Sequence, residues 1–374
     1  MTVAETYRRM WVAEEAGRPH RATHRRDTIV AGAPGGCPRH NPQLASVDPA
    51  ALRGTRRAHR RVGGRGTENP TPSLALRLAL HSAEHLLAAG RIHGSKLCKL
   101  TSVTPTLADV IAVLDRLYDP AWAESWDAVG LVTGDPDQPV RRILFAVDPM
   151  RAVVDEAISG EYDLLVTHHP LLLRGVNSVA ATTPKGRVVH DLIRSGTALH
   201  VCHTNADNAN PGVSDALAAA VGLQDTRPLK PLVSNPELGG GRIGTLTAPE
   251  PLKDFARRVA ENLPSTEHGV RVSGDPSRMI ETVAVVGGAG DSEFDRVRAA
   301  GVDAYVTADL RHHPATEARA YDEGPALVDV AHWASEWPWL RDAERLLVKG
   351  LAEQGSTVDT HVSTLRTDAW NLRL

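Results

Sequence analysis

Three things are scarce in this chain. Cysteine occurs only three times in 374 residues, at Cys37, Cys98 and Cys202, and no pair is spaced as CxxC. That excludes a disulfide scaffold and a thiolate-built zinc ribbon, and it favours a reducing compartment. Aromatic residues make up 4% of the chain, so any core must be mainly aliphatic. No run of about 18 consecutive apolar residues occurs, which argues against a membrane-spanning helix. The first 30 residues also lack the apolar stretch of a secretory signal. The expected location is the cytoplasm.

The length suits one large domain or two ordinary ones. The formal net charge of −3 conceals an asymmetry. Residues 1–100 carry a net of +10, and the other 274 carry −13. The basic part is rich in Arg, Gly, Pro and His, and only Ser73–Ile92 shows helical spacing of leucines. It offers too little apolar surface to repay its ordering, so residues 1–104 are expected to be a disordered extension. A second reading starts translation at Leu100 or Val103, which would leave the preceding residues untranslated. Nucleic-acid binding through this basic segment is the weaker functional reading.

Order begins at Thr104. Thr106 is placed to cap a helix bearing Leu107, Val110, Ile111, Leu114 and Leu117, with Asp109 three residues beyond the cap. Short apolar strands then alternate with helices. The strands are ILFAV (143–147), DLLV (163–166), ALHVC (198–202), TVAVV (282–286), DAYVT (303–307), ALVDV (326–330) and a last run over 356–365. Helices are expected near 151–159, 185–195, 212–221, 251–262, 292–300, 314–322 and 335–353. This alternation predicts an α/β fold of two related lobes with mainly parallel sheets, over about 105–223 and 275–374. Residues 224–274 read as a connector.

In α/β sheets, ligands gather at the carboxyl ends of strands. Asp148 follows ILFAV, His168-His169 follow DLLV, His203 and Asp207 follow ALHVC, Asp309 follows DAYVT, and His332 with Glu336 follow ALVDV. Imidazoles and carboxylates without thiolate suit zinc, iron, manganese or nickel. His332 and Glu336 stand one helical turn apart, but so do His313 and Glu317, so this spacing alone does not choose between them. Five ligands exceed the needs of one four-coordinate ion, and a shared Asp207 or Glu336 would accommodate two. Asp148 and Asp309 are candidates either to orient imidazoles or to cap helices. VVGGAG (285–290) imitates a dinucleotide fingerprint, but Glu293 falls where its third glycine belongs. It reads as a tight turn or as an anion-binding turn.

Taken together, WDAVGL (126–131), VTHHP (166–170), HTNADNA (203–209), GRIG (241–244), VVGGAG (285–290), VTAD (306–309) and VAHWASE (330–336) make residues 105–374 resemble a known family. This is the NIF-three-like family of dinuclear metal-centre hexameric proteins, often called GTP cyclohydrolase 1 type 2 homologues. The resemblance implies two divalent metal ions held by His168, His169, Asp207, His332 and Glu336, and it sets His313 and Glu317 aside. Ala128, Ala206 and Ala331 depart from the usual family residues without removing a ligand. The resemblance also implies a homohexamer and a metal-dependent hydrolase acting on a small nucleotide-like molecule such as GTP. The alternative is a non-catalytic metal carrier, insertase or regulatory scaffold. No catalytic residue is assigned. His203 is a candidate proton shuttle, with a structural hydrogen bond as the competing role. No membrane or nucleic-acid partner is expected.

Overall fold

The structure is a computed structural model that describes residues 103–374. The basic extension expected over 1–104, with its helical stretch Ser73–Ile92, lies outside the described residues up to position 102. The first helix, α1 (Leu107–Leu117), starts at the expected cap. The Asp109 N–H donates to Thr106 Oγ1 at 3.2 Å, and the Asp109 carboxylate accepts the Thr106 N–H at 2.9 Å. Such a reciprocal cap satisfies two N–H groups that the helix itself cannot.

The first sheet has the order β1-β4-β3-β2-β11. Its strands are β1 (Gly130–Thr133), β2 (Arg142–Ala146), β3 (Leu164–Thr167), β4 (Ala198–Val201) and β11 (Asp359–Val362). All pairings are parallel except β1 on β4. Alternate side chains face opposite sides of a strand, so β2 is buried on both. Ile143 and Phe145 pack with Leu107, Val110 and Leu114 of α1. Leu144 and Ala146 pack with α2 (Arg151–Ser159) and α3 (Pro184–Ser195), through Val153, Val154, Val188 and Leu192.

The second sheet has the order β5-β6-β8-β9-β10-β7. Its strands are β5 (Leu223–Pro231), β6 (Gly239–Pro251), β7 (Arg271–Ser273), β8 (Met279–Ala289), β9 (Ala304–Ala308) and β10 (Ala326–Val330). β8, β9 and β10 run parallel, whereas β5, β6 and β7 add antiparallel pairs. Val283, Val285, Val306 and Val328 pack on Leu217 of α5 (Val213–Ala220) and on Phe255 and Val259 of α6 (Leu252–Asn262). The opposite face carries Ala284, Tyr305 and Leu327 against Val297 of α7 (Phe294–Ala300).

Two elements depart from the sequence reading. Residues 224–274 are not a connector, because they supply most of β5 and all of β6 and β7 to the second sheet, with α6 packed on it. Their glycines and prolines obscure any strand period, and pairing with β8 supplies the order that composition does not. The terminal run forms β11 beside β2, so the chain returns to the first sheet. The long helix α9 (His332–Glu353) begins at the end of β10 but packs Trp339, Leu340, Leu347 and Leu351 into the core of the first sheet. It ties one lobe to the other. Among the described residues, no helix is long and apolar enough to cross a membrane.

Candidate metal centre

The carboxyl ends of β2, β3, β4, β9 and β10 carry the chemistry-bearing residues. His168 and His169 directly follow β3, and His203 precedes α4 (Thr204–Asn208), which carries Asp207. His332 and Glu336 lie on one face of the first turns of α9, as their spacing requires.

Four imidazoles are oriented in the same manner. His168 Nδ1 donates to the Cys202 carbonyl at 2.9 Å. His169 Nδ1 donates to Asp148 Oδ1 at 2.7 Å, His203 Nδ1 to Asp127 Oδ2 at 2.9 Å, and His332 Nδ1 to Asp309 Oδ2 at 2.7 Å. A carbonyl or carboxylate oxygen can only accept, so each Nδ1 carries a proton and each Nε2 is left for other work. Asp148 and Asp309 thus orient imidazoles, one of the two roles open to them from sequence.

The Nε2 atoms converge. His332 Nε2 lies 3.2 Å from His169 Nε2. Glu336 Oε1 stands 3.0 Å from His332 Nε2 and 3.4 Å from His168 Nε2, while Oε2 stands 3.2 Å from His169 Nε2. Asp207 Oδ1 lies 3.8 Å from His168 Nε2. The five residues singled out from sequence therefore share one cluster. His168, His169 and His203 form one group whose ligand atoms lie within 4.8 Å of one another, and His169, His332 and Glu336 form another. His313 and Glu317, on α8 (His312–Ala318), are exposed and belong to neither.

The imidazoles and carboxylates of the cluster set one another's charge. Burial opposes charge on His169, but Glu336 and Asp148 outweigh it and push the imidazole up to about 10. Burial likewise opposes charge on His168 and His332, and Glu336 with its neighbours raises both above the ordinary value. Burial would lift the Glu336 carboxyl, yet three surrounding imidazoles hold it well below the usual range. The Asp207 carboxyl is pushed up by burial, with His168 and His203 only partly offsetting that. The Glu336 carboxylate thereby favours the protonated form of the three imidazoles around it. Buried Glu336 Oε2 has no hydrogen-bond donor aligned on it among the described residues. This donor set, all nitrogen and oxygen with no thiolate, fits a first-row divalent ion.

Several supporting residues were not singled out from sequence. Asp127, in the WDAVGL stretch, anchors His203 and also accepts the Thr204 hydroxyl at 2.6 Å. Burial would raise its carboxyl, but these hydrogen bonds bring it down to about 2. Thr367 near the C-terminus donates its hydroxyl to Asp148 Oδ2. Asn205 and Asn208 of HTNADNA donate to the carbonyls of Tyr118 and Trp122 at 2.6 and 2.8 Å. Those bonds fix α4 and hence Asp207. The glycines of VVGGAG lie at the end of β8, and Gly288 adopts the left-handed region with φ 71°. A Cβ there would stand 2.5 Å from Glu336 Oε1 and 3.0 Å from His332 Nε2. The glycine is required because the strand forms a wall of the cluster. Asp309 is also left-handed, with φ 55°, a conformation that costs a non-glycine residue about 1–3 kcal/mol and recurs at functional sites.

Residues 105–369 match the Duf34/NIF3 (NGG1p interacting factor 3) family. A Streptomyces coelicolor protein named GTP cyclohydrolase 1 type 2 homolog is 57% identical over 268 residues, covering 71% of this chain and 94% of that protein. A Mycobacterium tuberculosis protein of the same name is 39% identical over 71% of this chain and 97% of its own length. The crystal structure of a Bacillus cereus protein related to NIF3 superposes with a TM-score of 0.68 at 24% identity, covering 73% of this chain and all of that one, and so supports the fold. With most of the described chain matched by the family and by close relatives, the protein belongs to the Duf34/NIF3 family.

Proposed function

We propose that His168, His169, Asp207, His332 and Glu336 would hold two divalent metal ions and that the loaded site hydrolyses a small nucleotide-like molecule. The observation that carries this reading is the set of four imidazoles with anchored Nδ1 atoms, of which His168, His169 and His332 turn Nε2 to the buried Glu336 carboxylate. Two ions at this spacing of ligands would supply Lewis acidity toward a substrate. The chain's own part is to hold the ligands rigid and to manage protons. His203, fixed by Asp127 through Nδ1, keeps Nε2 free to take up or release a proton beside the cluster. The relatives' name favours a GTP-like substrate, and the family resemblance favours a homohexamer.

Elemental analysis of the purified protein, together with hydrolysis assays on a nucleotide panel, tests the reading. About two equivalents of metal and metal-dependent turnover are expected. Metal without turnover of any nucleotide would leave a non-catalytic metal protein. Sedimentation of the same sample checks the assembly.

A further inference from the structure

A cavity of about 130 Å³ opens beside the cluster. Asp207 belongs to both, so a molecule seated in the cavity abuts the metal-ligating groups. Its walls include Trp126, the backbone of Gly240, and the side chains of Glu124, Lys230 and Glu293. Resting on the hydrolytic reading above, we infer that this cavity receives the ring portion of the substrate: an uncharged, planar heterocycle bearing N–H donors, with any phosphate kept outside.

Three observations point that way. The first is size. A cavity of about 150 Å³ is filled by a single benzene ring, so this one takes a small ring system and not a nucleoside triphosphate. The second is charge. The lining carboxylates of Glu124 and Glu293 are each paired with a cation, Lys230 and Arg296, the latter at 2.8 Å, and Asp207 belongs to the cluster. Lys230 stands 2.7 Å from Glu124. No unpaired cation is therefore left among the described lining side chains to bind a phosphate. The third is shape and polarity. The Trp126 indole, which lies T-shaped to His203 with centroids 6.0 Å apart, lines the space and offers an aromatic contact to a planar ring. Glycine at 240 leaves space for a ring to approach the strand, because its only close neighbour for an added Cβ is Asn208 Oδ1 at 3.4 Å. Carboxylate oxygens around the space accept hydrogen bonds, which ring N–H and amino groups supply.

Equilibrium dialysis on the full chain tests this, with and without metal, using guanosine, adenosine, hypoxanthine, GTP and inorganic tripolyphosphate as probes. At least one phosphate-free probe should bind the metal-free protein one to one. Gly240→Leu, which fills the space, should weaken that binding by at least about tenfold while metal content and melting temperature stay unchanged. If Gly240→Leu fails to fold, Ser292→Trp narrows the same cavity from an exposed position. Tripolyphosphate should bind only the metal-loaded protein, and equally well in the variants. The inference is overturned if no phosphate-free probe binds, if the variants leave binding unchanged, or if tripolyphosphate binds the metal-free chain as tightly as the nucleosides. Because these readouts need no turnover, ring binding without hydrolysis would sink the hydrolytic reading and leave this one standing.

Discussion

Two of the buried charged constellations among the described residues are built on opposite plans. Arg242 on β6 is 1% exposed, and all five of its N–H donors are used. Nε and Nη2 grip the Asp215 carboxylate, each at 2.6 Å. Nη2 also donates to the Ala209 carbonyl, and Nη1 donates to the carbonyls of Gly239 and Gly241. Asp215 in turn accepts the Gly212 N–H at the start of α5. Nothing is left over for a ligand. The histidine cluster is the reverse. Its outer nitrogens are fully engaged, while its inner nitrogens face one another and a single carboxylate. A closed constellation holds elements together, whereas an open one holds its own groups ready for something else.

Breaking each constellation should therefore give opposite phenotypes. Arg242→Met leaves the half-buried Asp215 carboxylate and three carbonyl groups without their donor, which should cost about 3 kcal/mol. Denaturant unfolding should show that loss, while the fraction still folded binds metal as before. A loss below about 1 kcal/mol would mean that the pair is not structural.

Glu336→Gln should do the converse. Metal affinity is expected to fall by at least about 100-fold in metal titrations, a loss worth about 2.7 kcal/mol of binding. The metal-free variant should stay folded, because imidazoles deprived of their counter-charge can release protons instead of remaining buried as cations. A variant that unfolds without metal would make the cluster structural after all.

Thr367→Val should produce a smaller effect of the same kind, acting through Asp148 on His169. Losing such an outer hydrogen bond commonly lowers metal affinity about tenfold or more. Thr367→Ser should restore it, and the melting temperature of the metal-free protein should not move.

The smallest effect is on pH dependence. His169 is held up to about 10 in the metal-free protein, so its stabilising contribution is whole below its unfolded value of 6.5 and gone once pH passes about 10. Glu336 has the opposite sign, and its contribution is lost as pH falls through its depressed value. Metal must displace the protons, so affinity should rise between about pH 6 and pH 8. Calorimetry in buffers of different ionisation enthalpy should register proton release on loading at neutral pH. No release would mean that the inner nitrogens are neutral before metal arrives.

The five clustered residues were legible because each follows a short apolar strand, and strand ends in α/β sheets share an edge. The capping box at Thr106 and Asp109 was legible for a local reason, since its partners are three residues apart. The outer anchors were not. Asp127 is 76 residues from His203, and Thr367 is 219 from Asp148. No spacing rule connects such pairs. β5 and β6 escaped notice because their Gly- and Pro-containing segments lack a clean period of two.

What the sequence determined by itself is therefore local and periodic. It placed helices, parallel strands and the imidazole–carboxylate set at strand ends, because hydrophobic period and helical spacing are properties of short segments. Tertiary structure alone decided the return of β11 to the first sheet and the closed Arg242 knot. It also decided which oxygen orients each imidazole and what shape the neighbouring cavity takes. Each of these depends on groups distant in the chain meeting within about 3 Å, and only the packed core brings them that close.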